Sequence, residues 1–134
     1  MSSDNDAKLK HLEFIQATIN RMAGNSFLLK GWTVTLVGAL FAAAVTETSF
    51  LFLGISLCVV LFFWLLDGYY LSRERHFVKL YEHVSVKKPA DIDFSMRTKL
   101  FRTRWDWPKC SFSTTLVVFY GGLVVLHLIL IYYL

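Results

Sequence analysis

The sequence predicts an all-α integral membrane protein: an N-terminal amphipathic helix, a tight two-span hairpin, a basic cytoplasmic helix and loop, and a C-terminal third span. Three observations carry this reading. Hydrophobic residues make up 55% of the 134 positions and gather in three long blocks, whereas soluble domains of this size intersperse them. Each block is about 20 residues long, the length that crosses a ~30 Å hydrocarbon core as a helix. None shows the polar face that a helix of a soluble bundle carries. A single membrane domain, 1–134, is expected.

From the N-terminus, "DAKLKHLEFIQATINRMAG" (6–24) places Leu12, Ile15, Ile19 and Met22 at helical spacing, with Asp4 or Asp6 as a cap and Gly24 as a stop. It reads as an amphipathic helix that lies on the inner membrane surface or packs against the long loop. The first span is "FLLKGWTVTLVGALFAAAV" (27–45), whose one charge is Lys30. Ala42-Ala43-Ala44 offers a signal-peptidase pattern, but the preceding 26 residues are long and carry Asp4, Asp6 and Glu13, so a retained span is expected. The second span, "SFLFLGISLCVVLFFWLLDGYYL" (49–71), carries only Asp67. Helix is expected to continue through 72–84, with Phe77, Leu80, Tyr81 and Val84 on one side, until Pro89 ends it. The rest of the 72–111 segment is irregular, aromatic and basic, and Trp105 and Trp107 stand where interfacial anchors are expected before the third span, 112–134.

Orientation follows from the basic residues. The segment 72–111 holds Arg73, Arg75, Lys79, Lys87, Lys88, Arg97, Lys99, Arg102, Arg104 and Lys109, and the N-terminal tail adds Lys8, Lys10 and Arg21; the turn between spans one and two has Glu47 alone. Lysine and arginine stay cytoplasmic, which predicts a cytoplasmic N-terminus and an external C-terminus. The pI of 9.2 then reflects topology and attraction to anionic inner-leaflet lipids, and direct nucleic-acid binding is not needed to explain it.

Two features of the spans stand out. Counted from the hairpin turn, Lys30 and Asp67 lie within about two residues, or ~3 Å, of the same depth. They either neutralise each other or send their charges separately to the interface, and they are candidates for an ion pair or gate. Gly31, Thr35, Gly38 and Ala42 form a small-residue stripe on span one, and Gly121-Gly122 thins span three; such surfaces let helices approach closely, within the chain or between copies. A bundle of three short spans favours a homo-oligomer.

Enzymatic chemistry is not expected. Cys58 and Cys110 form no C-x-x-C pair; His76 and His83 share a helix face with no further ligand cluster; Asp91 and Asp93 lack the spacing of a calcium loop. No phosphate-binding loop, dinucleotide fingerprint or Ser/His/Asp pattern occurs, and His127 reads as a hydrogen-bonding group between helices. No cofactor or metal is implied.

The runs "HLEFIQATINRMAGNSFLLKGWTVTLVGALFA" (11–42), "FFWLLDGYYLSRERHFVKLY" (62–81) and "TTLVVFYGG" (114–122) resemble a set of small bacterial inner-membrane proteins in which "NSFLLKGW" and "LDxYxLxxERxFxxLY" recur. These are similar to the membrane effectors of antiphage cassettes, of retron or nucleotide-signal type. The resemblance covers most of the chain and falls on Asn25, Ser26, Lys30, Trp32, Asp67, Tyr69, Glu74, Arg75, Phe77 and Tyr81. It implies an oligomeric, membrane-perturbing effector held or released by a cytoplasmic sensor or inhibitor, with Glu74, Arg75, Phe77 and Tyr81 as docking candidates. A non-catalytic scaffold recruiting a cytoplasmic partner through the basic loop is the alternative. A housekeeping transporter is a weaker fit for three spans without an internal repeat, and the apolar end at Tyr132-Tyr133-Leu134 speaks against a phage holin.

Overall fold

The structure, a computed structural model, describes residues 2–133. Four α-helices make up most of it: α1 (Ser2–Glu47), α2 (Phe50–Val86), α3 (Asp106–Ser111) and α4 (Thr114–Tyr133), with 3-10 turns at Pro89–Asp91 and Lys99–Phe101. No strand occurs among the described residues. α1, α2 and α4 are each long and apolar enough to cross a membrane.

The expected stop at Gly24 does not occur: α1 runs unbroken for 46 residues, so the 6–24 helix and the 27–45 span are one element. A glycine inside a helix costs only about 1 kcal/mol relative to alanine, and α1 is anchored to α2 on both sides of Gly24. On one side Ile15 and Ile19 are buried with Phe77, Leu80 and Val84 of α2 and with Ile92, flanked by Leu12, Tyr81 and Phe101. On the other, Val37 is buried with Val60 of α2 and with Leu116 and Tyr120 of α4. The 6–24 segment therefore continues α1 beyond the apolar stretch and packs beside α2 and the loop residue Ile92. At 1.5 Å per residue α1 is ~69 Å long and α2 ~55 Å, roughly twice what a hydrocarbon core requires. The surplus length forms a helical pair projecting beyond the apolar section, with its own core.

The two long helices are joined at Thr48 and Ser49. Thr48 takes a left-handed backbone (φ 49°) and the Ser49 N–H bonds to the Ala44 carbonyl at 3.1 Å, the six-to-one closure that ends many helices. At the far end of α2, Pro89 forbids continuation and holds Lys88 extended (ψ 146°). The Lys8 ammonium of α1 donates to the carbonyls of Ser85 and Lys87, each at 2.8 Å, and so caps α2.

Around the second core most large apolar side chains face outward: Phe27 is 77% exposed, Leu51 68% and Val118 70%. Only an apolar surrounding or further apolar helices would cover such a surface.

The first core makes a direct prediction. Ile15→Ala, at a fully buried position, should lower unfolding stability in detergent by about 2–4 kcal/mol. Phe14→Ala, one residue away on the exposed face, should change it by well under 1 kcal/mol. Denaturant titration followed by circular dichroism checks both, and equal effects would refute the packing of 6–24 against α2.

Candidate functional site

Asp67 lies on α2 where the two cores meet, and its side chain is wholly shielded from solvent. A buried carboxylate is tolerated only when its oxygens are matched by charge and hydrogen-bond donors. α1 supplies two partners one turn apart. Lys30 Nζ stands 2.5 Å from Oδ2, and the Ser26 hydroxyl donates to Oδ1. Lys30 also donates to Ser26 Oγ at 2.9 Å, closing a ring of three side chains. α4 supplies the third donor, the Tyr120 hydroxyl, at 3.1 Å from Oδ2. Lys30 keeps 21% of its side chain exposed and lies 6.0 Å from the centroid of the Phe119 ring, within cation–π range. One carboxylate thus ties together all three apolar helices.

A second polar contact lies farther along the bundle, toward the hairpin turn. His127 Nδ1 donates to the Leu123 carbonyl at 2.7 Å, and Nε2 faces Ser56 Oγ of α2 at 2.9 Å. Because the carbonyl only accepts, the proton of the neutral ring sits on Nδ1 and the Ser56 hydroxyl donates to Nε2. The Phe41 ring of α1 packs edge-on against the imidazole at 4.5 Å. This polar pair is also enclosed.

α3 clamps the outer face of α2. Gly68 leaves no room for a side chain, since a Cβ there would stand 2.9 Å from the Ser111 Cα. Trp64 Nε1 donates to the Ser111 carbonyl at 2.7 Å, and Trp107 Nε1 to the Leu65 carbonyl at 3.0 Å. Asp106 accepts from His76 Nε2 at 2.8 Å and from the Thr103 backbone N–H at 2.6 Å. The Thr103 N–H, followed by His76, holds its carboxyl below the usual aspartate range. Burial pushes the Cys110 thiol upward, only partly opposed by Arg75, which argues against a reactive thiolate. Burial likewise raises the Glu74 carboxyl against the pull of Arg75 and Lys30.

The other expected site residues fall differently. Phe77 is 8% exposed inside the first core, where α1 already covers it, so its ring is not free for the partner docking expected of it; Tyr81 packs against the same core and is partly buried. Arg75 is exposed and Glu74 half-buried. The stripe Gly31, Thr35, Gly38 and Ala42 does not mediate packing within the chain, because all four face outward and nothing lies within 4 Å of a Cβ built at Gly31 or Gly38. α1 instead turns Thr33, Val37 and Ala44 inward. Gly121 and Gly122 are equally open; the close helix approach is made at Gly68, which sequence reading missed. Trp105 and Trp107 are 61% and 48% exposed. Tyr120 was legible in principle as the phenol next to two glycines in a charge-free block, and Ser26 as the hydroxyl one turn before Lys30.

The class these features define is an all-helical chain with three helices long and apolar enough to cross a membrane, joined by an internal polar node. No known protein family, curated protein or solved structure matches the chain, and none of these comparisons links it to antiphage effectors.

Lys30→Leu should destabilise the detergent-solubilised protein by about 3–5 kcal/mol, because it leaves the buried carboxylate without its cation. Lys30→Leu with Asp67→Leu should recover much of that loss, and strictly additive effects in the double-mutant cycle would disprove the pairing. The α3 clamp gives a pH dependence. The folded Asp106 value lies below the unfolded one of about 3.9, so its contribution is complete above that value and is lost as pH falls through the lower, folded value. The unfolding midpoint should therefore drop on acidification into that range more steeply in wild type than in Asp106→Asn, and parallel profiles would refute the assignment.

Proposed function

We propose that the chain is a multi-pass protein of the bacterial inner membrane, with its N-terminus and the 72–111 segment cytoplasmic, that assembles into a membrane-perturbing oligomer in antiviral defence. One observation carries the oligomeric reading: the small-residue stripe of α1 is presented outward over open space, while the polar groups of Asp67, Lys30, Ser56 and His127 are spent on one another inside a single copy. A lone copy therefore offers ions no polar route, and several copies are required. Small residues on an outward face are what membrane helices use to approach each other closely. The antiviral setting rests on the sequence resemblance alone, as does a cytoplasmic sensor or inhibitor that holds the assembly in check.

The scaffold alternative has its own support. Beside the projecting helical pair lies a cleft of about 330 Å³ whose lining includes His83, Lys87, Arg97 and Lys99, suited to an acidic segment of a cytoplasmic partner.

Expression in a bacterium lacking any inhibitory partner should depolarise the inner membrane, read by a voltage-sensitive dye. Gly38→Leu should abolish this while the protein still folds and inserts, because the space at Gly38 is open within one copy and added bulk there obstructs only the close approach of another helix. A polarised membrane at verified wild-type expression would remove the effector reading and favour the scaffold.

A further inference from the structure

Three arginines line one cleft with no side-chain acceptor among the described residues. Arg73 of α2 and Arg102 and Arg104 of the loop before α3 line a cavity of about 340 Å³ with Tyr69 and Trp107. Among the described residues Lys30 pairs with Asp67 and the His76 ring bonds to Asp106, and none of the three guanidinium groups is neutralised by a carboxylate. The one carboxylate in the lining, Asp106, is committed to His76 and the Thr103 N–H. Three guanidinium groups against one carboxylate leave an excess of two positive charges. His76, 4% exposed, belongs to the same lining, and its Nδ1 has no partner.

The cleft does not stand alone. Trp107 is also a wall of an adjacent, almost wholly apolar groove of about 240 Å³, lined by Leu65, Pro108, Ser111 and Phe112. Leu65 lies in the apolar part of α2, and Arg73 lies eight residues on, ~12 Å farther along the helix. A cationic cleft thus adjoins an apolar groove across the Trp107 ring, the two stepped along one helix at the level where the apolar section ends. That is the profile of a lipid, with phosphate above and acyl chain below. A guanidinium matches a phosphate through paired N–H donors where an ammonium offers only a point charge.

We propose that Arg73, Arg102 and Arg104, with the Trp107 groove, form a discrete binding site for an anionic phospholipid: the phosphate headgroup is held by the arginines and an acyl chain runs along Leu65, Trp107 and Phe112. This rests on the membrane reading and adds to it a specific lipid seat, distinct from diffuse attraction between a basic loop and a charged surface. Bound there, the lipid bridges α2, α3 and the loop before α3.

The test uses the full chain reconstituted in phosphatidylcholine vesicles containing trace lipid with brominated acyl chains, which quench nearby tryptophans. Brominated phosphatidylglycerol should quench at a clearly lower mole fraction than brominated phosphatidylcholine, and Trp107→Phe should remove most of the difference. Arg102 and Arg104 are exposed, so Arg102→Gln with Arg104→Gln should keep the wild-type melting temperature in detergent. Each lost guanidinium should reduce the anionic preference by up to about fivefold. The charge-matched variant Lys87→Gln with Lys88→Gln should retain the preference; an equal loss there would mean diffuse electrostatics and overturn the site. Inorganic phosphate raising the melting temperature as much as short-chain phosphatidylglycerol would overturn the lipid assignment. Alkaline carbonate extraction separates the two levels: release of the chain from membranes defeats the membrane reading, whereas retention without lipid preference defeats this proposal alone.

Discussion

The carboxyl group of Asp67 is closed off from water inside an apolar helical bundle, and the rest of the structure is arranged around meeting its needs. An unmatched carboxylate there would cost several kcal/mol, comparable to the whole stability of a small domain. Lys30, Ser26 and Tyr120 offset that cost, and together they fix relative position in a way apolar contact does not. Apolar helices slide and rotate past one another with little penalty when lipid and leucine are equally greasy, so close packing and polar contacts have to set register. Here α1 is fixed to α2 by two side chains one turn apart, and α4 is fixed to the same carboxylate by one phenol. The Ser56–His127 contact pins the other part of α4. Two separated points leave α4 little freedom to shift along α2 or to swing about either contact.

With that register set, the projecting part of the molecule follows. α1 and α2 leave the apolar section already aligned, so Ile15 and Ile19 arrive opposite Phe77, Leu80 and Val84. The Lys8 ammonium then reaches the end of α2. The chain beyond Val86 folds back along this pair and returns through α3, whose docking depends on the missing side chain of Gly68. α3 in turn delivers α4 to Asp67. The last part of the route from α2 to α4 is therefore held by contacts to one short stretch of α2, from Trp64 to His76.

What was legible in the sequence depended on how many dimensions a feature needs. The three apolar helices require only composition along the chain. The shared depth of Lys30 and Asp67 required only counting from a turn, because a hairpin turns distance along the chain into depth. The face a helix buries required more. The stripe at Gly31, Thr35, Gly38 and Ala42 obeys helical spacing as well as Thr33, Val37 and Ala44 do, and spacing alone does not say which of two apolar faces meets α2. Gly24 read as a stop because local propensity favoured one; the cores on either side of it outweigh that preference. Gly68 had no local signature, since its partner Ser111 is remote in sequence. Phe77 and Tyr81 illustrate the reverse error. Their pattern on one side of α2 is visible in the sequence, but spacing alone does not say that Ile15 and Ile19 of α1 fill that side.

The outward stripe and the buried node are neighbours, and this bears on how a sealed unit responds to its surroundings. Gly31 follows Lys30 directly and Thr35 lies a little over one turn farther on, on an α1 surface with nothing against it. Any helix seated on that surface comes within a residue of the cation that satisfies Asp67. The node itself is stiff, because removing any one partner leaves a buried polar group unsatisfied. A contact at the stripe therefore has two outcomes. It leaves the node intact and simply stacks sealed units side by side, or it draws the partly exposed Lys30 toward the neighbour and leaves Asp67 without its cation. The same ion pair that gives one copy its register is thus the element through which association would change the helices' arrangement.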